Sequence, residues 1–355
     1  MLCVPTAFCS YSGEALDKKT PLLRSMATLD KQTKRVLALF GKNPAHVTVN
    51  VGTEQEYFLI SEKDYERRQD LIVCGRTLFG APPCKGQELD EHYFGAIRPT
   101  VNSFMKELDD ELWGFAVAAK TKHNEVAPCQ HELAPVFCNA NRAVDENLLT
   151  MEMMKLLASH HGLVCLQHEK PFEGINGSGK HNNWSFGTED ENLLDPGDTP
   201  EANLQFIVFL TCVIEAVDNY QDLLRMSVAS CGNDHRLGAH EAPPAIISIF
   251  LGDELSSIID ALTSGETAAH TLREQLDFGV DVLPNLERDT TDRNRTSPFA
   301  FTGNKFEFRM PGSSVNVSDA NTVLDTAVAK TLKEFADAME ARGDMEFEHA
   351  ALNWV

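Results

Sequence analysis

The chain has 355 residues, with 31 Lys and Arg against 53 Asp and Glu, for a formal net charge of −22. That length suits one large domain or two ordinary ones. The acidity argues against sequence-independent nucleic-acid binding, which needs cations on the phosphates, and against docking on anionic membranes. The first thirty residues are mixed and do not read as a complete domain. His46 to Val51 alternates apolar and polar residues, as a half-buried strand does. A turn at Gly52-Thr53 leads to a second strand, Glu54 to Ile60. Gly75 to Gly95 is rich in Gly and Pro and reads as a long loop. Val101 to Trp113 has helical spacing, and Phe115 to Ala119 reads as a strand continuing toward Glu125.

Val144 to His160 is an amphipathic helix closed by Gly162. Leu163 to Gln167 is a short apolar strand, followed by a glycine-rich loop from Gly174 to Ser185. Glu201 to Leu224 reads as a long helix with Pro200 before it. Ala245 to Leu262 and Thr322 to Met339 read as helices, with a strand at Phe306 to Met310 between them. Strands and helices alternate irregularly, which predicts an α+β fold with a largely antiparallel sheet. No linker divides the chain and no repeat is visible, so residues 1–355 are read as one domain. Nine scattered cysteines, an odd number without a C-x-x-C pair, argue against a zinc cage or a disulfide framework. Reduced thiols in a cytoplasmic protein are the expectation. The best apolar run, Phe206 to Val213, is too short to cross a bilayer.

Chemistry concentrates in acidic residues placed where strands aim them together. Glu54 and Glu56 are two apart, so on a strand they share a face. Such a pair is stable facing water, or with cations to neutralise it. Glu125 and Glu132 flank Pro128 in a strand–bend–strand segment. A buried carboxylate needs a partner, and Lys120, Lys122 and His123 are the salt-bridge candidates. Phe306 and Phe308 occupy one face of their strand, leaving Lys305, Glu307 and Arg309 on the other. That row is either a ladder of salt bridges or a metal ligand between two anion-holding arms. Carboxylates with one imidazole suit a hard divalent ion such as Mg²⁺ or Mn²⁺.

Gly174 to His181 nearly matches a P-loop, G-x-x-x-x-G-K-[ST], but His181 replaces the hydroxyl. The residues that follow are poor helix formers, whereas a P-loop must open a helix. The P-loop reading is rejected, and His181 stands as a candidate ligand. Arg236 lies in a polar loop, and Arg293 and Arg295 precede the Glu307 strand. Each suits a surface salt bridge, or together they suit a carboxylate and a transferring phosphoryl group.

These blocks occur in a particular order: E-x-E, N-E-V-A-P-x-Q-H-E, N-G-S-G-x-H, R-x(4)-E-A-P, R-N-R and E-F-R. In content and order they resemble the active-site blocks of the glutamine synthetase family. Ser10 to Ser25, Gly75 to Ala81 and Lys180 to Ser185 resemble its type III branch. The resemblance implies a largely antiparallel curved sheet flanked by helices, and ATP-dependent ligation of ammonia to glutamate. It implies one divalent ion (Mg²⁺ or Mn²⁺) on Glu56, Glu125 and Glu132, and a second on Glu54, His181 and Glu307. Asn176, Gly177, Arg236 and Arg309 would grip glutamate, and Asn183, Ser185 and Lys305 would lie near ATP. Glu241 would close the site and deprotonate ammonium, and Arg295 would stabilise the phosphoryl group in transit.

Relatives assemble as stacked rings, so a homo-oligomer is expected, with no nucleic-acid or membrane partner. The family's N-terminal β-grasp domain and the C-terminal extension of type III chains are expected to have no counterpart in these residues. Two alternatives accompany this reading: an inactive nucleotide-binding module, and a ligase joining glutamate to another amine.

Overall fold

The computed structural model describes residues 4–240, 242–264 and 296–355, and between them residues 275–276, 280, 282 and 286–287. The helices are α1 (Lys19–Leu39), α2 (Glu62–Tyr65), α3 (Gln69–Cys74), α4 (Pro99–Gly114), α5 (Ala140–Ala158), α6 (Leu204–Asn219), α7 (Gln221–Ser227), α8 (Cys231–Arg236), α9 (Asp253–Ser264), α10 (Ser318–Glu340) and α11 (Phe347–Trp354). The strands are β1 (Thr48–Ser61), β2 (Ala119–Asn124), β3 (Gln130–Pro135), β4 (Cys138–Asn139), β5 (Leu163–Leu166), β6 (Lys180–Gly187), β7 (Ile249–Phe250), β8 (Gln275–Leu276), β9 (Leu286–Glu287), β10 (Phe299–Phe301) and β11 (Phe306–Phe308). β8 and β9 pair only with each other, and the rest form one sheet in the order β2-β3-β1-β6-β11-β10-β7. All its pairings are antiparallel except β10 with β7. The predicted α+β class with a largely antiparallel sheet is what forms.

β1 is the axis of this sheet. Along one edge it pairs with β3 and β4, and along the other with β5 and β6. The turn predicted at Gly52-Thr53 is absent, because both residues lie within the β1–β6 ladder opposite Asn183 and Asn182. Gly52 there leaves room for Phe137, whose Cβ would lie 3.2 Å from an added Cβ. The predicted glycine loop ends at Gly179, and Lys180 onward is strand.

Side-chain alternation divides the sheet. Val49, Val51, Tyr57, Trp184, Phe186, Phe306 and Phe308 face the helices and are buried. All but Tyr57 pack with Leu29 and Val36 of α1, Phe206 and Phe209 of α6, and Leu324, Val328 and Phe335 of α10. Each fully buried phenylalanine contributes roughly 2–3 kcal/mol of apolar transfer. α10 lies along both α1 and α6. A second cluster joins Tyr57 and Leu59 to α4 and α5 through Phe104, Leu108, Met154 and Leu157.

Several helices differ from their predicted bounds. α1 had no predicted counterpart, and Pro21 sits in its first turn, where its missing N–H costs nothing. The long helix expected over Glu201 to Leu224 is broken, since α6 ends at Asn219 and α7 restarts at Gln221. Asn203 caps α6 by accepting from the Phe206 amide at 3.1 Å. Only the second half of the helix expected over Ala245 to Leu262 forms, and Ile249 and Phe250 instead extend the sheet beside β10. Residues 115–118 are the α4 exit, with Ala116 at φ +62°, and the strand expected from Phe115 begins only at Ala119, running to Asn124 as β2. Among the described residues, no helix is long and apolar enough to cross a membrane, and all eight described cysteines are free.

One carboxyl lies wholly inside the helical layer. Asp325 accepts from Trp184 Nε1 at 2.9 Å, and its other oxygen lies 3.2 Å from Ser25 Oγ. Ser25 Oγ is also 2.8 Å from the Leu22 carbonyl oxygen, so its single proton cannot serve both. A protonated Asp325 completes the arrangement by donating to Ser25. Burial pushes this carboxyl up to about 7, against those two hydrogen bonds. Its folded pKa is therefore raised, so wild-type stability falls as pH rises from the unfolded carboxylate range, about 4, through about 7. Asp325→Asn keeps both contacts without ionising. Thermal melts across that range are expected to show the variant more stable than wild type by a few kcal/mol above pH 7, with the gap closing in acid.

Candidate active site

The face of the sheet opposite α1, α6 and α10 collects the acids. Strand register places Glu54 opposite His181 and Glu56 opposite Glu132. It places His123 opposite Glu132, and Asn183 opposite Glu307. All these side chains therefore rise from one face, across five adjacent strands. Glu56, Glu125, Glu132, Glu307 and Arg309 are each less than a tenth exposed.

Two clusters form. In the first, His181 Nδ1 lies 3.1 Å from Glu54 Oε2 and 3.1 Å from Glu307 Oε1. Asn183 Nδ2 donates to Glu54 Oε1 at 2.8 Å, and Arg309 Nη2 to Glu307 Oε2 at 3.0 Å. Burial pushes Glu54 up, but the bond and charge of His181 outweigh it and hold the carboxyl below its usual range. Burial is likewise overcome at Glu307, which His181 and Arg309 hold well below that range. Burial opposes charge on His181 too, yet Glu307 and Glu54 drive it well above the usual imidazole value.

In the second cluster, His123 Nε2 lies 3.0 Å from Glu132 Oε1, and Nδ1 lies 3.6 Å from Glu125 Oε1. The Glu132 bond raises His123 to about 9 in spite of burial. Burial raises Glu132, with His123 opposing. Glu56 stands between the clusters, and its Oε2 accepts the Gly179 amide at 2.6 Å. In each cluster, one ligand atom per residue lies within 4.8 Å of the others. Carboxylate oxygens with one imidazole are the donor set a hard divalent ion takes, so both fit Mg²⁺ or Mn²⁺.

His123 is the residue that sequence reasoning left as a salt-bridge partner. It lies between Glu125 and Glu132, close enough to both to complete a group that could hold a metal ion. Lys122 instead pairs with Asp109 on α4. Glu241 and Arg295 lie outside the described residues.

The glycine loop is shaped by a neighbouring arginine. A Cβ on Gly179 would sit 2.2 Å from Arg236 Nη2, and one on Gly177 would sit 2.4 Å from the Glu169 carbonyl oxygen. Neither position admits a side chain, so these glycines let the loop close over Arg236. Arg236 was expected to reach for a substrate carboxylate. The residue is 2% exposed, and its guanidinium instead donates to the carbonyls of Arg309 at 2.9 Å, Met310 at 3.2 Å and Pro311 at 3.3 Å. It also donates to Asn233 Oδ1 at 3.0 Å. Glu169, also buried, accepts the Ser314 amide at 3.1 Å and fastens the chain just beyond. Arg236 thus joins α8 and the glycine loop to the end of β11.

Asn176 is buried beside Gly177. Asn183 and Ser185 lie half-buried on the open face of β6. Lys305 Nζ contacts Asn183 Oδ1 and donates to Thr302 Oγ1 at 2.8 Å. Burial lowers the Lys305 ammonium, although Glu307 and Glu54 support its charge. Of the row Lys305, Glu307 and Arg309, only the last two pair directly.

A divalent ion that takes the imidazole of either cluster as a ligand would have to displace its proton. Mn²⁺ binding is expected to release protons at neutral pH, with affinity at the His123 cluster rising as pH climbs toward about 9. Calorimetry in two buffers of different ionisation enthalpy checks this, and proton-neutral binding at pH 7 would exclude it.

Residues 31–247 match the family described as the glutamine synthetase catalytic domain. Residues 1–25 match the glutamine synthetase type III N-terminal family. The chain is 53% identical over 335 residues to a type-3 glutamine synthetase of Dictyostelium discoideum, covering 94% of this chain and 46% of that one. It is 57% identical over 316 residues to a glutamine synthetase of Butyrivibrio fibrisolvens, covering 88% of this chain and 45% of that one. Among solved structures, a Plasmodium falciparum glutamine synthetase shares the fold with a TM-score of 0.61 at 15% identity, over 92% of this chain and 58% of that one. The chain spans about half the length of the curated relatives it matches.

Proposed function

The chain belongs to the glutamine synthetase family, in its type III branch, and on that premise we propose that it ligates ammonia to L-glutamate at the expense of ATP. The observation that carries this reading is the pair of carboxylate–imidazole clusters held side by side across β1. Glu56, Glu125, Glu132 and the newly placed His123 would hold one divalent ion, and Glu54, His181 and Glu307 a second. When bound, such ions neutralise charge on the transferring phosphoryl group and on the attacking carboxylate.

The protein's own groups do the positioning. Asn183 and Ser185 face the nucleotide from β6, and Lys305 from the residue before β11. Asn176, Gly177 and Arg309 line the glutamate side, and Arg236 serves that side by fixing the loop and strand that carry them. The glutamate side chain attacks the γ-phosphorus of ATP, and ADP leaves. Ammonia then displaces phosphate from the γ-glutamyl phosphate formed. In this reading Glu241 takes the ammonium proton and Arg295 stabilises the phosphoryl group.

We also propose that the chain self-associates. Phe79, Leu89, Phe94 and Phe137 are exposed apolar residues on loops around the site, a distribution that suits contact with a further copy. A clean monomer by light scattering would refute this. The free thiols suit the cytoplasm, which cell fractionation checks.

Purified residues 1–355 with Mg²⁺ or Mn²⁺ are expected to release ADP only when glutamate and ammonium are both present. His181→Ala is expected to weaken metal-dependent nucleotide binding and to cut turnover by about 100-fold or more. No turnover, with metal-dependent nucleotide binding intact, would identify a binding module in place of a ligase. Turnover with another amine but not ammonium would identify a different glutamate ligase.

A further inference from the structure

Among the described residues, the open face is rich in acids, and its cations are engaged. Arg236 is tied to main-chain carbonyls, Arg309 to Glu307 and the Ser297 carbonyl, and Lys305 to Asn183 and Thr302. A carboxylate ligand on this face would gain from a further, neutral donor. The segment 87–95 supplies a candidate, because it is fastened to the site at both ends.

At one end, His92 Nδ1 lies 2.6 Å from the Glu125 carbonyl oxygen. Asn124 Nδ2 donates to the carbonyls of His92 at 3.1 Å and Gly95 at 3.2 Å. The Tyr93 ring meets the His123 ring at 5.7 Å, edge to face. At the other end, Gln87 Oε1 accepts the Asn176 amide at 2.5 Å. Between them the chain reverses through Leu89 at φ +55° and Asp90 at φ +52°, both left-handed. Two successive non-glycine residues hold that conformation only where surrounding contacts impose it. The segment is therefore held over the site with Gln87 fixed against the glycine loop.

Gln87 is half-buried. Its side-chain oxygen is engaged with Asn176, while its NH₂ group, with two donors, meets no partner among the described residues. A neutral amide stays available to an acceptor.

We infer that Gln87 is a substrate-binding residue that favours a carboxylate: its amide nitrogen donates to a carboxylate of the amino-acid substrate, while its oxygen holds Asn176 in place. This rests on the reading of the site as a glutamate site. The two halves of the side chain can be tested apart. Gln87→Glu keeps an acceptor for the Asn176 amide but removes the NH₂ group. Gln87→Leu removes both without adding charge.

The experiment is calorimetric titration of the full chain with L-glutamate, in the presence of Mg²⁺ and ADP. Both variants are expected to bind glutamate about tenfold or more weakly, with ADP affinity unchanged and the Gln87→Glu melting temperature unchanged. Wild-type affinity in Gln87→Glu, with loss in Gln87→Leu, would mean that Gln87 only pins the loop, and would overturn the inference. Loss in Gln87→Glu alone would report charge repulsion at a distance and overturn it as well, as would wild-type affinity in both. Absence of glutamate binding by the wild-type chain is a separate failure, that of the ligase reading, and the role of Gln87 falls with it.

Discussion

Carboxylates crowded on one buried sheet face must be neutralised, and the rest of the structure follows from that requirement. Glu56 and Glu132 stand opposite each other on paired strands, with Glu54 two residues along. Like charges so placed repel, and burial weakens the water that would screen them. The fold answers with His181 between Glu54 and Glu307, His123 between Glu125 and Glu132, the Gly179 amide on Glu56, and Arg309 on Glu307. Taking away one partner of a buried pair costs about 3–5 kcal/mol, because a charge is left without compensation. The histidines give each cluster a positive charge that a divalent ion can replace.

β1 makes this arrangement possible. Its fourteen residues are long enough to pair with β3 and β6 on opposite edges at the level of Gln55. Both clusters are therefore built on one rigid strand, and their separation is set by the pleat. The opposite face of the same residues carries Val51 and Tyr57 into the helical core. A one-residue slip of β6 would bury His181 and send Trp184 to the open face. The apolar core and the acidic site thus specify the same register. The Trp184–Asp325 bond and the reciprocal pair of Asn182 and Asn321 anchor that register from the helical side.

Arg236 extends the same logic to the loops. A buried guanidinium must find acceptors, and it finds them in three successive carbonyls after β11. The glycine loop then has no choice but Gly at positions 177 and 179. What looked in sequence like a phosphate cradle is a place where backbone passes close to an arginine. Glu169 completes the knot through Ser314. These contacts make the glutamate side of the proposed site a single rigid unit, against which segment 87–95 is fastened.

The sequence by itself determined the alternation. Glu54 with Glu56, and Phe306 and Phe308 around Glu307, declare their faces through a period of two, which needs no tertiary information. It also determined the α+β class, the rejection of the P-loop at His181, and the block order that marks the family. It could not determine which strands are neighbours. Whether His123 meets Glu132 or Lys122 meets Glu125 depends on the β2–β3 register and on Asp109 of α4, which draws Lys122 away. Nor could it show that Gly52 lies inside a strand, that Arg236 turns inward, or that Gln87 lies against Asn176. Those are contacts between segments from about 50 to more than 100 residues apart, decided by packing and charge compensation and not by local propensity.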